Sequence, residues 1–149
     1  MDCIVRPYRD EDFSGVWAME RNGCEAGYPS AVVVRQAAEL FPRTFLVAAD
    51  DTGPAGYVIA APSSDPSVGW ILRLRVREDR RRMGYGRALL REAIARLGDG
   101  GAACVRLTVS PRNEPALALY RGLGFIEVDR LPDYFGPGED RLLLSFRIP

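Results

Sequence analysis

The sequence predicts a single α/β domain spanning residues 1–149, with strands and helices in the order βααβββαβαββ. Three observations carry that expectation. A chain of 149 residues suits one well-buried core and is too short for two such domains with a linker. Apolar residues make up 47% and charged residues 27%, the balance of a folded chain rather than a disordered or collagen-like one. The hydrophobic period alternates between that of strands and that of helices, with no internal repeat, linker or low-complexity tract.

The elements follow in order. Cys3 to Tyr8 reads as a short strand, after which Asp10, Glu11 and Asp12 supply acidic first-turn residues for a helix carrying Phe13, Val16, Trp17 and Glu20. Asn22 to Tyr28 reads as a glycine-containing loop. Pro29 and Ser30 open a second helix through Val32, Val33, Ala37 and Leu40 to a stop at Pro42, although Ala31 to Val34 favour a strand by propensity. Thr44 to Ala49 and Ala55 to Ala61 flank the turn-forming cluster Asp50-Asp51-Thr52-Gly53-Pro54 and should form a hairpin. A second turn, Ser63 to Pro66, leads to a third strand from Trp70 to Arg77, completing a meander. After Gly84-Tyr85-Gly86 the period becomes helical through Ala88, Leu89, Leu90, Ala93, Ile94 and Leu97, ending at Gly98 and Gly100. Val105 to Val109 is a strand, with Cys104 beside it expected as a small core residue. Asn113 to Arg121 is a helix capped by Asn113, and Phe125 to Leu131 and Leu142 to Ile148 are closing strands.

Absences narrow the chemistry. With no histidine, Ser-His-Asp and Cys-His nucleophile systems and the commonest zinc ligand sets are out. With no lysine, Schiff-base chemistry, pyridoxal phosphate chemistry and a lysine-bearing phosphate loop are out as well. Any acid or base is therefore Asp, Glu, Tyr, Cys or a terminus. The formal net charge is zero, so no whole-molecule field favours nucleic acid or an anionic membrane. Cys3, Cys24 and Cys104 are odd in number and lack metal-ligand spacing, so the expectation is a reducing compartment and no metal. Met1 to Pro7 has no basic-then-apolar run, and no apolar stretch approaches the roughly 18 residues of a membrane span. A cytoplasmic location is expected.

The most informative segment runs from Leu72 to Leu90. A strand ends, arginines accumulate at Arg80, Arg81 and Arg82, Gly84 and Gly86 allow close backbone approach, and a helix begins with free N–H groups and its positive dipole end exposed. That is an anion site built from main chain. A dinucleotide fingerprint does not fit, because it lacks a third glycine and follows three strands. Of Arg80, Arg81 and Arg82, one or two should act on the anion and the rest remain solvated. Arg73, Arg75 and Arg77 alternate with Leu72, Leu74 and Val76, so they should point away from the helix-packed face. Pairing with a neighbouring strand is the expectation for each singly.

Arg81-Arg82-Met83-Gly84-Tyr85-Gly86 resembles the Gln/Arg-x-x-Gly-x-Gly/Ala signature of the GCN5-related N-acetyltransferases (GNATs). A second stretch, Asn113 to Phe125, is similar to the family's Asn-x-x-Ala-x-x-Leu-Tyr-x-x-x-Gly-Phe run, and the element order also matches. The resemblance implies a mixed, mostly antiparallel sheet flanked by four helices. It implies that the amides of Arg81, Arg82, Met83, Gly84, Tyr85, Gly86 and Arg87 hold the pyrophosphate of acetyl-coenzyme A, that the main chain of Leu74, Arg75 and Val76 holds its pantetheine arm, and that Asn113 contacts it. It makes Tyr120 the proton donor to the departing thiolate. Independently, Ala116, Leu119 and Tyr120 share one helical face, which fixes the phenol beside an apolar stripe.

Within the family the likeness is greatest to RimI-type enzymes, which acetylate protein N-terminal α-amines. Tyr28-Pro29-Ser30 resembles their aromatic-Pro substrate loop, and Asp133-Tyr134-Phe135 with Glu139-Asp140-Arg141 resembles their closing hairpin. Thr108 stands where those enzymes carry a carboxylate base. Glu25, Tyr134 and Glu139 are the remaining candidates for the base. The expected function is transfer of an acetyl group from acetyl-coenzyme A to a primary amine by direct attack, the acceptor being a peptide N-terminus. Acceptors such as a polyamine, an antibiotic amine or an amino acid, a non-catalytic acyl-coenzyme A-binding module, and a nucleotide-binding domain are the alternatives. Expected partners are acetyl-coenzyme A and the amine, with no nucleic acid or membrane and with homodimerisation open.

Overall fold

The structure, a computed structural model, describes residues 2–22 and 27–149. Its elements are β1 (Ile4–Pro7), α1 (Phe13–Asn22), α2 (Gly27–Leu40), β2 (Phe45–Asp50), β3 (Gly53–Pro62), β4 (Val68–Val76), α3 (Tyr85–Asp99), β5 (Cys104–Val109), α4 (Glu114–Leu123), β6 (Ile126–Leu131) and β7 (Arg141–Arg147). The expected order βααβββαβαββ is the observed one. The seven strands form one sheet in the order β1-β2-β3-β4-β5-β7-β6. All neighbours are antiparallel except β4 and β5.

Strand alternation sorts side chains to two faces. On one face Leu46, Ala48, Val58, Ala60, Ile71, Val105, Leu107, Leu142 and Leu144 pack against Leu89, Leu90, Ala93 and Leu97 of α3 and Leu117 and Tyr120 of α4. On the other, Phe45, Val47, Tyr57 and Ile59 pack against Val16 and Met19 of α1 and Val34 and Ala37 of α2. The second cluster draws on β2 and β3 alone, so on this face β4, β5 and β7 carry Arg73, Arg75, Arg106, Thr108 and Ser145 beyond it.

Three expectations change. Asp10 to Asp12 form a separate 3-10 turn before α1, and buried Asp12 meets Arg6 at 2.7 Å and accepts from the Arg9 N–H at 2.9 Å. These acids seat the turn on β1 instead of serving the α1 dipole. The loop expected from Asn22 to Tyr28 is shorter, since Asn22 closes α1 and Gly27 and Tyr28 open α2, and the helix expected through residues 31–34 is observed despite their strand propensity because Val34 and Ala37 bury one helical stripe. Cys104 is half-buried at the start of β5, on the face opposite Val105, Leu107 and Val109, so the core alternation excludes it. Among the described residues no helix is long and apolar enough to cross a membrane.

Candidate active site

β4 and β5 pair only from Val68 opposite Cys104 to Trp70 opposite Arg106, although β4 continues to Val76 and β5 to Val109. Beyond that point the parallel strands part. The main chain of Leu74 to Val76 pairs with β3 on one side and faces the gap on the other. Unpaired strand-edge N–H and C=O groups are what an extended, amide-bearing ligand arm needs.

α3 begins at the open end of this gap. Gly84, its N-cap, has φ +84°, a left-handed conformation that glycine takes without steric cost. No side chain caps the helix, so its first N–H groups and positive dipole end face outward. A Cβ on Gly84 would meet nothing within 4 Å, so the space above these amides is open. Gly86 differs: its Cβ would lie 3.3 Å from Leu119 Cδ2 and 3.6 Å from Val76 Cγ2. Gly84 thus leaves room for an anion, and Gly86 lets α3 close onto α4 and β4. The site fits a diphosphate through main-chain donors, a dipole end and nearby guanidinium groups.

The arginine run divides its labour. Arg80 meets Asp50 at 2.9 Å, and Arg77 meets Asp79 at 2.6 Å and donates to the Pro54 carbonyl at 3.2 Å. Arg81 donates to the Val76 carbonyl at 3.3 Å, while Arg82, at φ +63°, is exposed beside exposed Met83 and Arg87. Arg80 therefore belongs to the scaffold, and Arg82 and Arg87 remain at the surface of the turn. Tyr85 is 3% exposed and donates its hydroxyl to Asp50 at 3.0 Å, so only its main chain serves the turn.

Asp50 was not legible as a site residue, because its position in a turn-forming cluster accounts for it locally. In the fold its carboxylate joins Thr52, Arg80 and Tyr85, tying the β2–β3 hairpin to the glycine turn. The Thr52 hydroxyl first, then the Thr52 N–H, Arg80 and Tyr85, hold its carboxyl well below the ordinary carboxylate range. A depressed carboxyl contributes stability above its unfolded value of about 3.9, lost only as pH falls towards the lower folded value. Asp50→Asn is expected to raise the KM for acetyl-coenzyme A several-fold, with a smaller change in kcat, and to speed amide exchange at residues 77–86. Steady-state kinetics with hydrogen exchange checks this, and unchanged exchange would remove the hub role.

α4 presents Tyr120. The Asn113 side chain accepts from the Ala116 N–H at 3.3 Å, Pro115 sits in the first turn, and Gly124 at φ +108° ends the helix. The ring of Tyr120 lies 5.8 Å from that of Phe125, and the residue is 9% exposed. Burial pushes its phenol up to about 12, so it keeps its proton at neutral pH. Leu119, its neighbour, is the side chain against Gly86.

On the opposite face lies a cluster the sequence only half disclosed. Glu20 of α1 is buried, 2.9 Å from Arg73 and 3.7 Å from Arg75, and accepts from the Tyr57 hydroxyl. Burial and the adjacent carboxylate push the Tyr57 phenol up. The arginines do point away from the α3 face as expected, but their partner comes from a helix and not from a neighbouring strand. The available signal was an acid on the same helical stripe as Val16.

The β6–β7 connection sits at the open end of the gap, since Leu142 pairs with Val109 at the end of β5. Arg112 donates to the Gly138 carbonyl at 3.1 Å and ties this connection to the segment before α4. Tyr134 is exposed and edge-on to Phe135, and Glu139 meets Arg141 at 3.3 Å. Thr108 is half-buried opposite Leu143. Glu25 lies outside the described residues. The main chain of Tyr28, Pro29 and Ser30 forms the first turn of α2, and their side chains lie outside those described.

A model of the acetyltransferase (GNAT) family matches residues 5–125. The chain belongs to this family. Relatives of this GNAT chain include an uncharacterised N-acetyltransferase of Methanocaldococcus jannaschii, 29% identical over 98% of this chain and 92% of the relative. An N-alpha-acetyltransferase of Sulfurisphaera tokodaii is 28% identical over 95% of this chain and 90% of its own length. Among solved structures, Ard1 from Thermoplasma volcanium superposes with a TM-score of 0.89 at 21% identity, covering 100% of this chain and 99% of that one. The NatC complex bound to Gag peptide and CoA reaches a TM-score of 0.87 at 23% identity, covering 100% of both chains. The GNAT fold is therefore shared, with its seven-stranded sheet and four helices.

Proposed function

We propose that this GNAT domain transfers the acetyl group of acetyl-coenzyme A to a primary amine, and that the acceptor is a protein N-terminal α-amine. One observation carries the donor half: the gap between β4 and β5 opens beside an uncapped α3 N-terminus. The relatives named N-alpha-acetyltransferase support the acceptor half.

The thioester supplies an activated acyl group and a thiolate leaving group. The turn from Arg81 to Arg87 binds the diphosphate through main-chain N–H groups, and the edge of Leu74, Arg75 and Val76 aligns the pantetheine amides. Donors along that edge favour the charge that gathers on the carbonyl oxygen as the amine attacks. The N–C bond forms, the C–S bond breaks, and Tyr120 gives its proton to the thiolate. The attacking amine must be neutral, and Thr108 does not accept a proton at neutral pH. Glu25, Tyr134 and Glu139 are the candidates for the base, acting directly or through a water.

Release of free thiol from acetyl-coenzyme A in the presence of peptides, polyamines, aminoglycosides and amino acids tests the reading. Peptides are expected to give the highest kcat/KM; no thiol release with any amine would overturn acetyl transfer. An α-amine titrates at about 8 and a lysine side chain at about 10.4, so a weak base suits α-amines. The ascending limb of kcat/KM against pH is expected to follow the acceptor's own ionisation. Two peptides of different amine pKa check this, and a limb that stays fixed assigns it to an enzyme group.

A further inference from the structure

The Glu20 cluster points to a charge on the acceptor. Glu20 has a side chain 1% exposed, while those of Arg73 and Arg75 are 43% and 34% exposed. The carboxylate is sealed beneath and the guanidinium groups reach the surface. An ion pair with one partner buried is weak evidence for stability, because desolvating the carboxylate offsets much of the attraction. What it does give is placement: the Glu20 charge lies 2.9 Å beneath Arg73, whose planar, multi-donor fork reaches the surface.

The fork lies where an acceptor would come. Arg73 stands opposite Ile59 and Arg75 opposite Tyr57, on the face where α1 reaches β4 through Glu20 while the apolar cluster beneath α1 and α2 draws on β2 and β3. The same strand continues within three residues to the edge at Leu74 to Val76. Arg106, on the same face of β5, stands opposite Trp70 at the point where β4 and β5 part, and its Nε is buried with no hydrogen bond among the described residues. Among the described acids, Glu20 is already shared between two arginines, Asp65 is held in the β3–β4 turn by the Ser67 hydroxyl and N–H, and Asp129 stands opposite Leu143 on the outer strand β6. A guanidinium fork pairs best with a carboxylate, which it binds through two parallel hydrogen bonds.

We propose that Arg73, positioned by Glu20, selects amine acceptors that carry a carboxylate within about 4–7 Å of the amine, one to two residue lengths. This rests on the acetyl-transfer reading above. The carboxylate comes either from an acidic side chain at the start of a peptide or from the α-carboxyl of a free amino acid. Two acceptor pairs distinguish these sources: peptides identical except for Glu or Gln at the second residue, and an amino acid against its α-amide. Thiol release is the readout.

The native chain is expected to prefer the carboxylate member of at least one pair by about tenfold or more in kcat/KM, an interaction on the scale of a charge-assisted hydrogen bond. Preference confined to the peptide pair assigns an acidic N-terminus, and preference confined to the amino-acid pair assigns the α-carboxyl. Arg73→Gln is expected to bring that ratio close to one, and a ratio left intact would overturn the assignment to Arg73. Equal kcat/KM within both pairs overturns the proposal while leaving acetyl transfer in place. No thiol release with any acceptor overturns the reading beneath it. The native-chain comparison needs no variant, so it decides the selectivity even where Arg73→Gln does not fold.

Discussion

Replacing Tyr120 by phenylalanine is expected to lower kcat by about 10²-fold, the contribution of a positioned general acid, with the KM for acetyl-coenzyme A nearly unchanged. The substitution keeps the ring against Phe125 and removes only the hydroxyl. Burial pushes that phenol up to about 12, so the proton is still present over the range in which an α-amine, at about 8, loses its own. Two further consequences follow. The kcat profile of the native protein should show no descending limb from this residue below about pH 10. Folding stability tied to the buried neutral phenol is in place below its unfolded value of about 10 and lost as pH rises towards about 12. Stopped thiol-release assays on native and Tyr120→Phe protein, with thermal melts of both, check this. Turnover within about twofold of the native value would make Tyr120 a packing residue and leave the thiolate to another acid.

The second large effect is expected at the glycine turn, where the two glycines should fail differently. At Gly84 the backbone sits at φ +84° with open space where a Cβ would point. Gly84→Val adds bulk in the space left for the anion and strains a left-handed position by about 1–3 kcal/mol. Acetyl-coenzyme A affinity is expected to fall well over tenfold, at least about 1.4 kcal/mol, in a domain that stays folded. At Gly86 the added Cβ faces Leu119 and Val76 instead of the ligand. Gly86→Val should therefore overpack the seam between α3, α4 and β4, costing about 1–3 kcal/mol of stability and displacing Tyr120 with its helix. Calorimetry of binding together with melting temperatures separates the two. Unchanged affinity in folded Gly84→Val would remove the anion site from this turn.

The sequence by itself determined the order of elements, because each carries its own period and its own stops. Gly124 ends α4 with a left-handed residue, Asn113 begins it with a side-chain cap, and Leu89, Leu90, Ala93 and Leu97 mark the buried stripe of α3. The turn around Gly84 and the placement of Tyr120 were legible for the same reason: both are local, set by residues within a few positions of one another. What lies across a buried face is not local, and only the tertiary structure decided it. Periodicity states that Glu20 shares a stripe with Val16, but not that Arg73 and Arg75, more than fifty positions later, stand opposite it. Asp50 has the composition of a turn residue, and its role depends on Arg80 and Tyr85 returning to it around β4. The insertion of β7 between β5 and β6, and the early end of the β4–β5 ladder, depend on pairing among distant strands. A strand's own sequence specifies which face it buries and leaves its neighbour open, because backbone hydrogen bonds are alike for every residue. The choice among neighbours falls to the packing of the helices against both faces, and here β4 and β5 part beyond Trp70 and Arg106, leaving a gap at whose open end the Gly84 turn begins α3.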